Sequence, residues 1–413
     1  MKRIIYIILV AFILSGGRVQ ALSIKSETAV LIDGDTGQVL FEKNMHVKMY
    51  PASMTKIMTA LIALEQGSLS DIISMSDEAV FSVGRDTSHI ALSGGERLTL
   101  EQALYAAAIA SANDASNGIA ELIGGSMPAF AELMTARARE LGALNTSFNN
   151  AHGLPDDAHY TTAHDMARIL SAAIKLPEFN KMFSSLLYEM PPTNLQPETR
   201  YFNRRNSLID GPHKYDGVIA EKTGWTGAAG YTYAAAAKRG ERTLVSIIMK
   251  SPDAETRWED TAALLDYGFD NFERVSYTAD EISRSNNFIS FTAQTGLDLL
   301  ILKSLGKPDI NISYILDISN MTGKAVFKLK EGLGGAMFPE LGELELRVDL
   351  EPAAVPAIAE PAHPEIPAER RPVFLIILYS AGIIICGLLF LYIFLYIRCR
   401  IIRQQRRNNN YYK

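Results

Sequence analysis

Residues 28–41 read TAVLIDGDTGQVLF, two apolar runs on either side of Asp33-Gly34-Asp35-Thr36-Gly37. Gly and Asp accommodate a tight reversal, so the stretch predicts a β-hairpin rather than a strand feeding a crossover helix. Downstream, apolar residues recur at helical spacing over 54–66, 99–123, 127–141 and 163–176, with Gly67, Gly124 and Gly142 near three of the ends. Strand-like runs return at 216–222, 229–237 and 242–249, and 254–272 reads as a closing helix. Two strands, a block of helices, three strands and a helix cannot be a chain of βαβ repeats. The hairpin most simply joins the later strands in one antiparallel sheet flanked by helices, a mixed α/β (α+β) fold for residues 22–274.

From 275 to 350, short alternating stretches at 288–291, 309–314, 325–329 and 343–348 lie between Gly, Pro and Asn turns and predict a small β-rich domain. Residues 351–372 are rich in proline, lack an apolar period and read as an extended linker. Lys2 and Arg3 precede an eleven-residue apolar run, 4–14, and Val19-Gln20-Ala21 supplies small residues for cleavage, so 1–21 is expected to be a secretory signal peptide. Eleven residues of helix cover about 16 Å of a hydrocarbon core about 30 Å thick, too little for a retained anchor. Residues 373–397 form 25 consecutive uncharged residues, enough for a transmembrane helix. The basic tail at 398–413 places the C-terminus in the cytoplasm and the body outside, a single-pass membrane protein.

The net charge of −6 conceals an asymmetry. The two ends hold nine basic residues and no acid, which leaves 31 basic and 46 acidic residues in 22–372. A body of that sign repels phosphate backbones, and nucleic-acid binding is excluded as its task. Cys386 and Cys399 are the only cysteines and lie in or after the apolar stretch. The body therefore has no thiol for a disulfide or a nucleophile.

Three short motifs fall on this layout. Ser53-Met54-Thr55-Lys56 sits where an extended Tyr50-Pro51 segment becomes a helix, and residues three apart share a helix face, so hydroxyl and amine can meet. Ser111-Ala112-Asn113 interrupts an Ala-rich helical section, and Lys222-Thr223-Gly224 ends the strand run, where Gly224 lets a ligand lie close to the strand edge. Each motif alone also has a plain structural reading, as a helix cap, a helix junction or a solvated strand end. Their order, with spacings of 58 and 111 residues, is what carries weight.

With PASMTKIMTA, SANDASNGIAE, NNAHGLPDDAHYTTAHDMA and EKTGWTGAAGYTYAAAA, the region 23–350 closely resembles the low-molecular-mass penicillin-binding proteins that are serine-type D-alanyl-D-alanine carboxypeptidases, peptidase family S11. The resemblance implies a β-lactamase-like, transpeptidase-like catalytic domain followed by a small β-rich domain. It implies a peptidoglycan pentapeptide ending in D-Ala-D-Ala as substrate, β-lactams as covalent inhibitors, and no metal or other cofactor. By the same resemblance Ser53 forms the acyl-enzyme, Lys56 is its base, Ser111 relays a proton to the leaving amine and Asn113 contacts the substrate backbone. Lys222, Thr223 and Gly224 line the opposite wall, the backbone N–H groups of Ser53 and Trp225 form the oxyanion hole, and Arg257 holds the terminal carboxylate. For Arg257 an ion pair with Glu255 or Asp260 is the alternative. The family often docks through a C-terminal amphipathic helix; here a full span is expected instead.

The residues support this chemistry directly. A serine hydroxyl needs a base, and none of the seven histidines follows a serine-hydrolase pattern, whereas Lys56 can serve if burial and the charge of Lys222 lower its pKa. His152 is expected to shape a turn, and His159 and His164, five apart, do not share a helix face for a metal. A β-lactamase would need a second base; the nearest candidate, Glu140 with Asn145, has the wrong spacing. A penicillin-binding sensor would pass a signal inward, for which the 16-residue tail is too short.

Overall fold

The computed structural model describes residues 22–350, apart from 205, 207, 286–288, 318 and 331–340. The expected signal peptide, linker, membrane span and basic tail lie outside the described residues. Among the described residues no helix is long and apolar enough to cross a membrane.

The opening hairpin forms as expected from β1 (Thr28–Asp33) and β2 (Val39–Lys43), with the Asp33 carboxylate accepting from the Thr36 N–H and hydroxyl, both at 2.8 Å. It joins β3 (Val218–Thr226), β4 (Gly230–Arg239) and β5 (Arg242–Ser251) in a wholly antiparallel sheet of order β2-β1-β5-β4-β3. Side chains alternate between two cores. Val30, Ala234, Ala236, Val245 and Ile247 join one cluster, while Leu31, Tyr233, Ala235, Leu244 and Ile248 join the other. Both faces being covered, β1, β4 and β5 read as near-continuous apolar runs rather than as alternating ones.

The first core is filled by α1 (Thr55–Gln66), α2 (Leu100–Ile109), α3 (Asn113–Gly124), α4 (Met127–Glu140), α5 (Ala163–Ala173) and α6 (Pro177–Ser184). The second is filled by α7 (Ala254–Asn271) through Leu264, Leu265 and Phe269. The 99–123 section divides into α2 and α3 at the expected Ser111-Ala112-Asn113 interruption, because Ser111 takes a left-handed φ of +54° that no right-handed helix can carry. The pattern to 176 stops at Ala173, and α6 is an element that the periodicity did not separate. The strand run expected to end at the Lys222-Thr223-Gly224 motif instead continues to Thr226, since Trp225 pairs with Tyr231 and Thr226 with Gly230. Gly224 is therefore a strand-interior glycine.

In the region expected to form a small β-rich domain lies a five-stranded antiparallel sheet built from Arg284–Ser285, Ile289–Ala293, Gly342–Leu350, Thr322–Leu329 and Ile310–Asp317 in that spatial order. The expected boundary at 274/275 falls inside the strand Phe272–Tyr277, which pairs with Leu297–Leu302. Phe272, Leu299, Leu300 and Phe327 share the second core with α7. Gln38, beside the hairpin turn, reaches across to Leu300: its Nε2 donates to the Leu300 carbonyl at 2.6 Å and its Oε1 accepts from the Leu300 N–H at 2.7 Å.

Candidate active site

A single 3-10 turn, Ala52–Met54, runs straight into α1 and carries Ser53. Ala52 has a φ of +49°, a left-handed conformation for a residue with a Cβ, which costs about 1–3 kcal/mol and must be imposed by its surroundings. Two contacts impose it. Thr232 Oγ1 donates to the Pro51 carbonyl at 3.2 Å, and Gly153, itself at φ +94°, lies so close that a Cβ there would stand 1.8 Å from the Ala52 carbonyl oxygen. Ser53 thus stands at the amino end of a buried helix, where the peptide dipoles favour developing negative charge.

Lys56, one turn on, is fully buried. Its Nζ lies 3.2 Å from Ser53 Oγ and donates to Asn113 Oδ1 and to the His152 carbonyl, each at 2.7 Å. Burial, and after it the charge of Lys222, holds the amine well below the ordinary lysine range, with Asp114 opposing. A neutral amine has two N–H donors and one lone pair. The two carbonyl oxygens take the donors, which leaves the lone pair for the Ser53 hydroxyl.

Ser111 comes from the break between α2 and α3. Thr99 caps α2 through a reciprocal bond with Gln102, the helix ends at Ile109, and the left-handed Ser111 brings its Oγ to 2.9 Å from Ser53 Oγ. Asn113 opens α3; its N–H donates to the Ser88 carbonyl at 2.8 Å. Asn113, expected to touch substrate, is thus also a positioner of Lys56.

The opposite wall is β3, an edge strand. A Cβ on Gly224 would stand 2.4 Å from Thr232 Oγ1 and 3.0 Å from both Ala52 Cβ and the Ser53 backbone nitrogen, so glycine lets this strand lie against the turn that carries the nucleophile. Lys222 is buried, its ammonium donating to the Thr223 carbonyl at 3.1 Å, and burial followed by the charge of Arg204 lowers its pKa to about 7. Trp225 is 60% exposed and stands at the rim.

Arg257 lies 4.3 Å above the Trp258 ring and 5.4 Å above that of Tyr231, with one N–H on the Gly224 carbonyl at 3.4 Å and its buried Nε without a partner among the described residues. The alternative ion pairs do not form. Asp260 accepts from the backbone of Lys25 and Ser26 and from the Ser26 hydroxyl, while Glu255 pairs with His213. The guanidinium remains available for a carboxylate beside Lys222.

His159 and His152 take structural places beside the site. His159 Nδ1 accepts from the Asn149 N–H at 3.0 Å, so Nε2 carries the proton donated to Thr55 Oγ1 at 2.8 Å. Burial lowers its pKa to about 4 and that of His152 to about 3. His152 contributes its carbonyl to Lys56 rather than its ring. Glu140, the candidate second base, is paired at the surface with Arg137 at 2.9 Å.

A sequence model described as D-alanyl-D-alanine carboxypeptidase, peptidase S11, matches residues 16–253. The chain is 32% identical over 359 residues to the D-alanyl-D-alanine carboxypeptidase DacF of Bacillus subtilis, covering 83% of this chain and 87% of that one. It is 32% identical over 314 residues to DacA of Escherichia coli K12, covering 72% and 76%. The crystal structure of penicillin binding protein 5 from Haemophilus influenzae superposes with a TM-score of 0.66 at 28% identity, over 81% of this chain and all of that one. The chain belongs to the D-alanyl-D-alanine carboxypeptidase family, the S11 serine peptidases, and has their penicillin-binding-protein fold.

Proposed function

We infer that this protein is a penicillin-binding serine carboxypeptidase that removes the terminal D-alanine from peptidoglycan peptides ending in D-Ala-D-Ala. The observation that carries the reading is the convergence on Ser53 Oγ of a fully buried lysine amine at 3.2 Å and a second serine hydroxyl at 2.9 Å. Lys56, neutral, takes the Ser53 proton as Oγ attacks the carbonyl carbon of the penultimate residue. The oxyanion is met by the N–H groups of Ser53 and Trp225. Ser111 hands a proton to the leaving amine and recovers one from Lys56, and D-alanine departs. Water then attacks the ester, releasing the shortened peptide and restoring the Ser53 hydroxyl. Lys222, Thr223 and Arg257 hold the terminal carboxylate, for which a guanidinium fork is well shaped. A β-lactam meets the same nucleophile, but its opened ring keeps the leaving nitrogen attached to the acyl group.

The place of action is part of the same reading. The apolar 4–14 run, the uncharged 373–397 stretch and the basic residues after it support an exported body held by a single C-terminal span, with the tail in the cytoplasm. Incubating the purified protein with a peptide ending in D-Ala-D-Ala, and measuring free D-alanine, tests the activity. Penicillin acylation without released D-alanine would identify a sensor instead.

A further inference from the structure

Glu221 immediately precedes the Lys222-Thr223-Gly224 motif, and its side chain has no exposure to solvent. An ionised carboxylate in such a place requires a partner, which Arg204 supplies as an ion pair. The rest of the guanidinium is committed to helix ends: it donates to the carbonyls of Phe183 at 2.9 Å, Ser185 at 3.2 Å and Ala108 at 3.3 Å. Phe183 lies in the last turn of α6, and Ala108 in the last turn of α2, three residues before Ser111. A cation is favoured at both carboxyl ends. One side chain therefore ties the corner that carries Ser111 to the strand that carries Lys222.

We propose that Arg204 and Glu221 are positioning residues of the carboxypeptidase reaction: Arg204 fixes the spacing between the Ser111 corner and β3, and by neutralising Glu221 it keeps the Lys222 ammonium free for the substrate carboxylate. The proposal rests on the reading of the activity above. The charged groups acting on Lys222 are Arg204, Glu221 and Arg257, and Lys222 in turn acts on Lys56 from across the cleft. Arg204 and Arg257 lower the affinity of Lys222 for its proton, and Glu221 raises it. Carboxylate binding needs the protonated amine, so Lys222 sets the alkaline limb of kcat/KM. Deleting one partner of the pair should move that limb in a direction fixed by the sign of the charge removed.

The test is the pH profile of kcat/KM for the full chain with a D-Ala-D-Ala peptide, repeated with the second-order rate of penicillin acylation. Arg204→Met should move the alkaline limb upward and Glu221→Gln downward, each by about half a unit or more, with a loss of about tenfold or more in rate. Arg204→Lys keeps the charge but not the fork, and should leave the limb in place while kcat falls. In Arg204→Met/Glu221→Gln the limb should return toward the wild-type position. Limbs that are unmoved, or that move the same way in both single variants, overturn the proposal. If Arg204→Met does not fold, Glu221→Gln decides alone: a downward shift supports the proposal and an unmoved limb overturns it. A wild-type protein that is acylated but releases no D-alanine would refute the activity and still leave the limb shifts measurable by acylation.

Discussion

Gly153 and Ala52 approach so closely that no side chain fits between them: a Cβ on Gly153 would stand 1.8 Å from the Ala52 carbonyl oxygen and 2.9 Å from Thr55 Oγ1. The glycine that follows His152 is thereby the mould for the left-handed turn that presents Ser53. Gly153→Ala combines this clash with a left-handed backbone, and should cost at least about 3 kcal/mol. A melting temperature lowered by roughly 4 °C or more, with slowed penicillin acylation, is the expected result. An unchanged melt would show that the turn does not depend on Gly153.

Ser53→Ala should abolish both D-alanine release and covalent labelling by penicillin, because Ser53 carries the hydroxyl that the Lys56 amine contacts. Labelling is read by the mass of the intact protein. Adduct formation in the variant would displace Ser53 from its assigned role.

Lys222→Ala should weaken substrate binding and slow acylation together. The Lys222 charge helps to depress the Lys56 pKa, so without it Lys56 keeps its proton to higher pH and the acid limb of kcat/KM moves upward. Loss of a charge-assisted contact from a dry site is expected to cost about 2–4 kcal/mol, or roughly 30- to 1,000-fold in kcat/KM. A loss under threefold with an unmoved acid limb would confine the motif to a structural role.

His159 carries a pH dependence of stability. Its pKa in the folded protein is lowered from 6.5 to about 4, so the unfolded chain binds the proton more tightly. The stabilisation from the neutral ring is complete above pH 6.5 and is lost as pH falls from there through about 4. Linkage puts it on the order of 3 kcal/mol. Denaturant titration of the wild type and His159→Gln at pH 7.5 and pH 4.5 should show the gap between them narrowing at the lower pH. A constant gap would mean that the ring is not held neutral.

A chain ending at residue 353, the limit of the compact unit, should keep D-alanine release and remain in the aqueous phase. The full chain should partition into detergent. Loss of activity on truncation would assign residues beyond 353 a part in the fold.

The site was legible where chemistry and spacing coincide. Ser53, Lys56, Ser111, Asn113, Lys222 and Arg257 were named through the order of three motifs and the family resemblance they carry; the structure places Lys56 and Ser111 at the Ser53 hydroxyl, Asn113 on Lys56 and Arg257 at the Gly224 carbonyl. The hairpin was legible because Asp-Gly and Thr-Gly permit few other conformations. Arg204 left no trace, since its partners are helix-end carbonyls far off in sequence, and Glu221 stood in the sequence only as the residue before the Lys222-Thr223-Gly224 motif. The strand end was misplaced because Gly224 reads as a breaker, whereas it is a clearance against Thr232 and the Ala52–Ser53 turn. The 274/275 boundary failed for a different reason: the strand Phe272–Tyr277 is stabilised by Leu297–Leu302, a pairing that local pattern does not reveal.

The last described strand, Gly342–Leu350, lies in the middle of its sheet, paired on one side with Ile289–Ala293 and on the other with Thr322–Leu329. Any tension applied through the chain beyond residue 350 is therefore delivered along a strand clamped by two ladders. Antiparallel ladders pulled along the strand resist in shear, with several hydrogen bonds loaded at once, whereas an edge strand pulled sideways opens one bond at a time. The sheet that closes the described chain is thereby built to carry load along its last strand rather than to peel from an edge.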